Sequence, residues 1–141
     1  MAPRRRRVGY VLDSSAMVAF LRDEEGAELL EAILRDRRSV CHAHVLNLCE
    51  VFYDFVRTDG EATARGVLDT LRSAHVRSRR DVDPRFWQGV GLLKAQHRRV
   101  SLADCFCITL AQRVGGEVLT TDHHEFDRLV PLGICHIRFL R

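Results

Sequence analysis

The stretch VGYVLDSSAMVAFL, residues 8–21, decides the fold of this chain. Its first five residues favour a β-strand, and Asp13 follows them directly. Ser14 and Ser15 then offer side chains that can cap a helix over residues 16–22. A strand, an acidic residue and a helix in this order are typical of α/β proteins, whose ligands bind beyond the carboxyl ends of the strands.

The same alternation continues along the rest of the chain. We predict further strands over residues 39–41, 75–78, 118–121 and 134–139. We predict further helices over residues 27–38, 43–57, 61–73, 84–97 and 102–114. Because strands that alternate with helices imply right-handed crossovers, we predict an α/β fold, a single three-layer α/β/α domain with a mainly parallel central sheet.

The length of the chain fits one domain. Its 141 residues are 46% hydrophobic, which is enough for a buried core. A run of four arginines at residues 4–7 precedes the first predicted strand. We therefore expect residues 1–7 to form a disordered basic tail and residues 8–141 to form the folded domain.

Arginine carries nearly all the positive charge. The formal net charge is only +3, and Lys94 is the sole lysine. Guanidinium groups suit phosphate contacts and base stacking, although solvated helix faces explain the same composition. The arginines that we consider as candidates for phosphate contacts are Arg79, Arg80, Arg98, Arg99 and Arg113.

The cysteines indicate a reducing compartment. Five cysteines, an odd number without a CxxC pair, lie mostly in apolar stretches, as buried reduced thiols do. No apolar run approaches the roughly 18 residues of a membrane span, and the basic start does not lead into a signal-peptide core. We expect a cytoplasmic protein without a membrane partner.

Four carboxylates are predicted to meet in one crevice. Asp13 and Asp122 each follow a predicted strand directly. Asp104 lies just inside a predicted helix N-terminus, and Glu50 lies on a helix that is otherwise apolar along one side. Singly, each acid has an ordinary interpretation as a turn, helix-end or solvated residue, but their shared position indicates a site.

A group of carboxylates indicates a bound metal ion. Like charges in one crevice repel each other unless a cation neutralises them, and hard oxygen ligands suit Mg²⁺ or Mn²⁺. Such an ion polarises a phosphoryl oxygen and lowers the pKa of its bound water, which predicts phosphodiester hydrolysis. The spacing of the histidines and cysteines fits no familiar zinc site.

Four segments of the chain resemble a known family. VLDSSAMVAFL (11–21), NLCEVFYDF (47–55), SLADCFCITLA (101–111) and VLTTDHHEFDRL (118–129) are similar to the signature segments of PIN-domain ribonucleases. Within that family they most resemble the VapC-type toxins of bacterial toxin-antitoxin pairs. The resemblance implies a PIN-like nuclease domain with an Mg²⁺-dependent, or Mn²⁺-dependent, endoribonuclease activity on RNA that a cognate antitoxin silences.

The resemblance also assigns the site. The implied catalytic and metal-binding residues are four acids: Asp13, Glu50, Asp104 and Asp122. Ser14 and Thr121 are implied as polar helpers. Some members carry a further acidic or amide residue after the last aspartate, and here that neighbourhood reads HHEFD, residues 123–127. His123 and His124 are candidates for RNA contacts beside the metal.

Partners are predicted from apolar surface. Residues such as Phe20, Phe52 and Tyr53 on the first and third predicted helices exceed what one small core needs, which indicates a homodimer or an antitoxin groove. An ordinary core is the alternative interpretation.

Three other functions were weighed against these residues. A phosphoacceptor receiver domain needs a lysine at its last strand, and a haloacid-dehalogenase-type phosphatase needs an aspartate two residues after the first; the chain has neither feature. A non-catalytic PIN-like module that binds RNA or a protein stays open as the alternative, although four clustered acids would then be an unneeded electrostatic cost.

Overall fold

The computed structural model describes residues 2–3 and 6–141, so Arg4 and Arg5 of the predicted tail lie outside the described residues. Within these residues the strands are Val8–Leu12 (β1), Ser39–His44 (β2), Val76–Arg79 (β3), Glu117–Thr120 (β4) and His136–Phe139 (β5). The helices are Ser14–Leu21 (α1), Ala27–Arg35 (α2), Val45–Asp59 (α3), Glu61–Ser73 (α4), Pro84–Gln96 (α5), Leu102–Val114 (α6) and His123–Phe126 (α7), and a 3-10 turn spans Val130–Leu132.

The strands form one parallel sheet in the order β3-β2-β1-β4-β5. The chain builds one half of the sheet outward from β1 to β3, then crosses to β4 on the other side of β1. Loops therefore leave the carboxyl ends of β1 and β4 in opposite directions, and this divergence opens a crevice between them. The predicted α/β fold with a mainly parallel sheet is confirmed.

Helices cover both faces of the sheet and give two hydrophobic clusters. One contains Met17, Leu30 and Val51 from α1, α2 and α3. The other contains Phe86 and Ile108 from α5 and α6. Because helices bury one apolar stripe each, this arrangement produces the predicted three layers.

The element boundaries differ from the predicted ones by a few residues. Strand β2 runs on to His44, because residues 43 and 44 pair with β3. Gly115 ends α6 in the left-handed conformation, as its sequence position predicts. The four-residue helix α7 is an element that the sequence analysis missed, since residues 123–126 carry no helical repeat long enough to detect.

Two findings bear on the predicted compartment. All five cysteines are free thiols. In the described part of the chain, no helix combines the length and the apolar character that crossing a membrane requires.

Candidate active site

The four predicted acids lie at the carboxyl edge of the sheet. Asp13 directly follows β1, and Asp122 lies two residues after β4. Glu50 is in the second turn of α3, and Asp104 is in the first turn of α6. They therefore come from both helical layers and from two adjacent strands.

Asp13 is held by hydrogen bonds that fix its position. It is 2% exposed and caps α1, because its Oδ1 accepts from the Ala16 amide at 2.8 Å and from the Ser15 hydroxyl at 2.7 Å. The Thr120 hydroxyl donates a short hydrogen bond to Oδ2. Burial, with a smaller effect of the charge of Asp122, raises the pKa of Asp13 to about 6, although these hydrogen bonds oppose the shift.

Two hydroxyls join the ends of β1 and β4 around Asp13. Ser15 Oγ accepts from the Thr121 amide at 3.0 Å, and Thr120 Oγ1 accepts from the Asp122 amide at 2.9 Å. The hydroxyl that contacts Asp13 from β4 is therefore that of Thr120, whereas Thr121 contributes its amide. The polar helper that the resemblance implied at Thr121 is displaced by one residue.

Asp104 is the most perturbed acid of the crevice. It is 8% exposed, and its amide donates to the Ser101 hydroxyl that caps α6. Burial raises its pKa to about 7, and the charges of Asp13, Glu125 and Glu50 add to the shift. Several carboxylates thus act on one buried group, which is the electrostatic signature of a cation site or an acid-base site.

Glu50 faces the same crevice from α3. Burial raises its pKa, and a hydrogen bond from the Ser14 side chain opposes this shift. Its Oε1 is buried without a hydrogen-bond partner among the described residues. Ser14, which the resemblance implied as a polar helper, therefore contacts Glu50.

Asn47 lies one turn before Glu50 and was missed by the sequence analysis. It is fully buried, and its Nδ2 donates to the Ala103 carbonyl at 3.4 Å, next to Asp104. This contact holds the acid-bearing parts of α3 and α6 together. An amide within an apolar helical stripe was the available sequence signal.

Glu125 is a fifth acid that the structure brings to the crevice. Asp122 Oδ1 caps α7 by accepting from the Glu125 amide at 3.0 Å, and this turn directs the Glu125 side chain toward Asp104, whose pKa it raises. Glu125 Oε2 is buried, and in the described chain it has no hydrogen-bond partner. The segment HHEFD thus supplies an acid three residues after the last predicted one.

The carboxylate oxygens of the crevice have the chemistry that a hard divalent cation prefers, but they do not surround a common point. In residues 2–3 and 6–141, no three His, Cys, Asp or Glu side chains are placed so that they could hold a metal ion. However, one buried carboxylate oxygen of Glu50 and one of Glu125 lack hydrogen-bond partners among the described residues. In addition, burial and three neighbouring negative charges raise the pKa of Asp104. An all-oxygen set with unsatisfied anionic donors suits Mg²⁺ or Mn²⁺ better than zinc.

Two of the candidate phosphate ligands are already neutralised. Arg113 bonds Asp83 at 2.5 Å and Asp81 at 3.0 Å, and Arg79 bonds Asp81 at 2.9 Å. Arg113 also lies over the Phe86 ring. These arginines fix the loop between β3 and α5 and have little charge left for RNA.

His123 has structural partners at both ring nitrogens. Nδ1 lies 2.8 Å from Asp127 Oδ1, Nε2 lies 2.6 Å from the Arg141 carbonyl, and the ring stacks on Phe139. Its role here is to fix the end of the chain against α7.

Fold and crevice together define a class of protein, a single α/β domain with an acidic site at the carboxyl edge of a parallel sheet. The PIN domain family model matches residues 10–130, and the chain therefore belongs to the PIN-domain family. Among curated proteins, none matches this sequence.

Solved structures share the fold at low sequence identity. VapBC2 from Rickettsia felis, bound to a DNA fragment from its promoter, has a TM-score of 0.73 and 15% identity, over 94% of this chain and 98% of that chain. VapBC-5 from Mycobacterium tuberculosis has a TM-score of 0.60 and 23% identity, over 95% and 98%. VapC20 from the same organism, a sarcin-ricin loop cleaving toxin, has a TM-score of 0.65 and 14% identity, over 84% and 94%.

Proposed function

We propose that this protein is a Mg²⁺-dependent endoribonuclease. The observation that supports this most is that carboxylates from the end of β1, from α3 and from α6 share one buried crevice: burial raises the pKa of Asp104, and the charges of Asp13, Glu125 and Glu50 raise it as well. Membership of the PIN-domain family and the similarity to VapC20, a sarcin-ricin loop cleaving toxin, support this reaction class.

The proposed ligands for Mg²⁺, or Mn²⁺, are the four acids Asp13, Glu50, Asp104 and Asp122. When bound, such an ion would lower the pKa of its water and would stabilise the negative charge on a phosphoryl oxygen. Glu125 adds a fifth carboxylate at the same edge. Because charge repulsion keeps unneutralised carboxylates apart, we expect their side chains to come closer when the cation is present.

The residues of the chain then have separable roles in hydrolysis. Ser15 and Thr120 hold Asp13 in one orientation, and Ser14 does the same for Glu50. Attack by water, not by the ribose 2'-hydroxyl, leaves 5'-phosphate and 3'-hydroxyl ends.

We propose that the protein acts as the toxin of a toxin-antitoxin pair. Several similar structures are VapBC complexes, including VapBC2 of Rickettsia felis and VapBC-5 of Mycobacterium tuberculosis. With residues 8–141 as the nuclease domain, a basic tail at residues 1–7 and five free thiols, the proposed setting is the cytoplasm. A homodimer is part of the same proposal.

A groove of about 1240 Å³ offers a place for the antitoxin. Phe20, Leu48 and Phe52 line its apolar part, whereas Met17 and Phe55 are buried in the core and unavailable. Arginines from four elements or loops line the same groove: Arg35, Arg37, Arg72 and Arg77. We propose that it takes a partner helix with an apolar face and acidic flanks.

The test of the nuclease is cleavage of a panel of structured RNAs by the purified chain, with Mg²⁺, Mn²⁺ or EDTA. We expect cutting that requires the metal and that disappears in Asp104→Asn, which removes a charge at nearly constant volume. Asp69→Asn is the matched control, because Asp69 is an exposed acid on α4. The fragments should carry 5'-phosphates.

Other outcomes separate the alternatives. Cyclic phosphate ends would contradict attack by water. RNA that stays intact with every metal, while the protein is folded and free of inhibitor, would favour the non-catalytic PIN-like binding module instead.

A further inference from the structure

A small basic pocket borders the acidic crevice. It has a volume of about 300 Å³ and lies between the loop before α6 and the segment that follows α7. Val100 and Leu129, each 2% exposed, form apolar walls together with the exposed Leu132. Three arginines line the same pocket: Arg98, Arg99 and Arg128.

The pocket is connected to the crevice on both sides. Its loop leads into Ser101, the cap of α6, so that chain geometry keeps Val100 within about 14 Å of Asp104. On the other side, Arg128 Nη2 lies 3.9 Å from Glu125 Oε2, a distance too long for a hydrogen bond. Arg128 therefore joins the lining of the pocket to Glu125, an acid of the crevice.

Two of these arginines have charge available for a ligand. Arg79 and Arg113 are neutralised by aspartates, as described above. Arg98 and Arg99 are exposed, and neither forms an ion pair with a carboxylate in the described part of the chain. Cations beside an apolar cavity, next to a cluster of acids, indicate a ligand that is both anionic and flat.

We propose that this pocket binds a nucleotide of the RNA that neighbours the cleaved bond. The base enters the apolar part, and the flanking phosphates contact Arg98 and Arg99. A volume of about 300 Å³ lies at the lower limit of ligand pockets, which suits a single base. This assignment rests on the proposed function and concerns how one nucleotide beside the cleaved bond is held.

Binding without cleavage tests the phosphate contacts. A short, fluorescein-labelled single-stranded RNA is titrated with the full chain in EDTA, and anisotropy is followed at several salt concentrations. For the double variant Arg98→Gln, Arg99→Gln we expect about tenfold weaker binding and a salt slope that is smaller by roughly 1.4, the value for two lost contacts to a single strand. Arg85→Gln is the matched control, because Arg85 is exposed on α5 and about 16 Å of helix away from the pocket.

A second variant tests the apolar part separately. Leu132→Gln keeps every charge and removes exposed apolar surface from the pocket wall. We expect roughly fivefold weaker RNA binding with an unchanged salt slope, since no phosphate contact is lost. Polyphosphate, which lacks bases, should bind this variant as tightly as it binds the unmodified chain.

The outcomes separate the pocket from the nuclease. Equal RNA affinity of the unmodified chain and the double arginine variant would overturn the proposal. The pocket would then be a candidate site for acidic side chains of a partner protein. An equal loss in Arg85→Gln would also overturn it, because bulk charge would then explain the binding. If the double variant loses RNA but the unmodified chain cuts none with any metal, the pocket stands and the nuclease proposal fails.

Discussion

Asp104 combines burial with the charges of Asp13, Glu125 and Glu50, and its pKa is raised to about 7. The pKa of an aspartate in an unfolded chain is about 3.8, so between pH 3.8 and 7 the folded state binds more protons at this residue than the unfolded state does. The free energy of unfolding therefore falls as pH rises through that window. Above it, the ionised side chain destabilises the metal-free fold.

Asp104→Asn should consequently stabilise the metal-free protein at a pH above 7. We expect the free energy of unfolding in EDTA to rise by roughly 1 to 3 kcal/mol, measured by urea unfolding. Asp69→Asn, at an exposed position, should change it by less than about 0.5 kcal/mol. A destabilised Asp104→Asn would mean that the carboxylate is satisfied without a cation.

Thr120 holds Asp13 and also accepts from the Asp122 amide. Thr120→Val keeps the shape of the side chain but leaves a buried carboxylate oxygen and an amide without this partner. We expect a loss of about 1 to 3 kcal/mol in unfolding free energy. Thr109→Val is the control, because the Thr109 hydroxyl donates only to the Cys105 carbonyl of its own helix, and its effect should be smaller. Equal effects of the two changes would argue against a special role of Thr120.

At the scale of single residues, the four acids could be proposed from the sequence, whereas their hydrogen-bond partners could not. Asp13, Glu50, Asp104 and Asp122 were predicted because strand ends and helix starts are readable from apolar patterns. The resemblance named Thr121 as a polar helper, and the contacts of the neighbouring Thr120 hydroxyl with Asp13 and with the Asp122 amide are visible only in the structure. In a strand, neighbouring side chains point to opposite faces, so a sequence pattern alone does not say which hydroxyl reaches the acids.

Among the elements, the junction of β2 and α3 depends on the neutral form of His44. This residue is fully buried, its Nδ1 accepts from the Leu46 amide at 3.1 Å, and its Nε2 lies 3.0 Å from the Asp81 carbonyl. The ring is stacked on Phe86. Burial lowers the pKa of His44 and the charge of Arg79 adds to this, while the contact with Asp81 opposes it.

A lowered pKa of a histidine gives a defined pH dependence. As pH falls below 6.5, the ordinary pKa of a histidine, the unfolded state binds the proton first, and the free energy of unfolding therefore decreases. His44→Asn keeps a side-chain cap but cannot titrate in this range. We expect the unmodified chain to lose more stability than His44→Asn on acidification below 6.5, measured by urea unfolding at paired pH values. Parallel pH profiles would show that His44 does not titrate on unfolding.

The loop between β3 and α5 depends on Arg113. Its guanidinium bonds Asp81 and Asp83 and lowers the pKa of Asp83, the cap of α5, to about 2. Arg113→Gln should lower the free energy of unfolding slightly and should leave RNA affinity unchanged. An anisotropy titration that shows weaker RNA binding for Arg113→Gln would return this arginine to the set of phosphate ligands.

The positions of the elements were largely predictable, because most helices and strands here are long enough to show a repeat of apolar residues. The bounds of β1, α4 and α6 were predicted to the residue. Helix α7 was not, since four residues between Asp122 and Asp127 make barely one turn, and the Asp122 cap is visible only in the structure. This short turn is what brings Glu125 to the crevice.

At the scale of the molecule, the crevice lies where the two hydrophobic clusters meet. Asp13 and Glu50 belong to helices or caps on one face of the sheet, and Asp104 belongs to the helix on the other. A cation that joins these acids would connect both layers and stabilise the whole fold. At a metal concentration of 100 times Kd, the expected gain is about 2.7 kcal/mol.

The most direct test of this account is a calorimetric titration of the full chain with Mn²⁺, which reports binding without RNA or cleavage. We predict binding to the unmodified chain and to Asp69→Asn, and a loss of at least about tenfold in affinity when any one of the four acids is replaced: Asp13→Asn, Glu50→Gln, Asp104→Asn or Asp122→Asn. Mn²⁺ binding that survives all four replacements, or no binding to the folded unmodified chain, would contradict the metal site on which the proposed function depends.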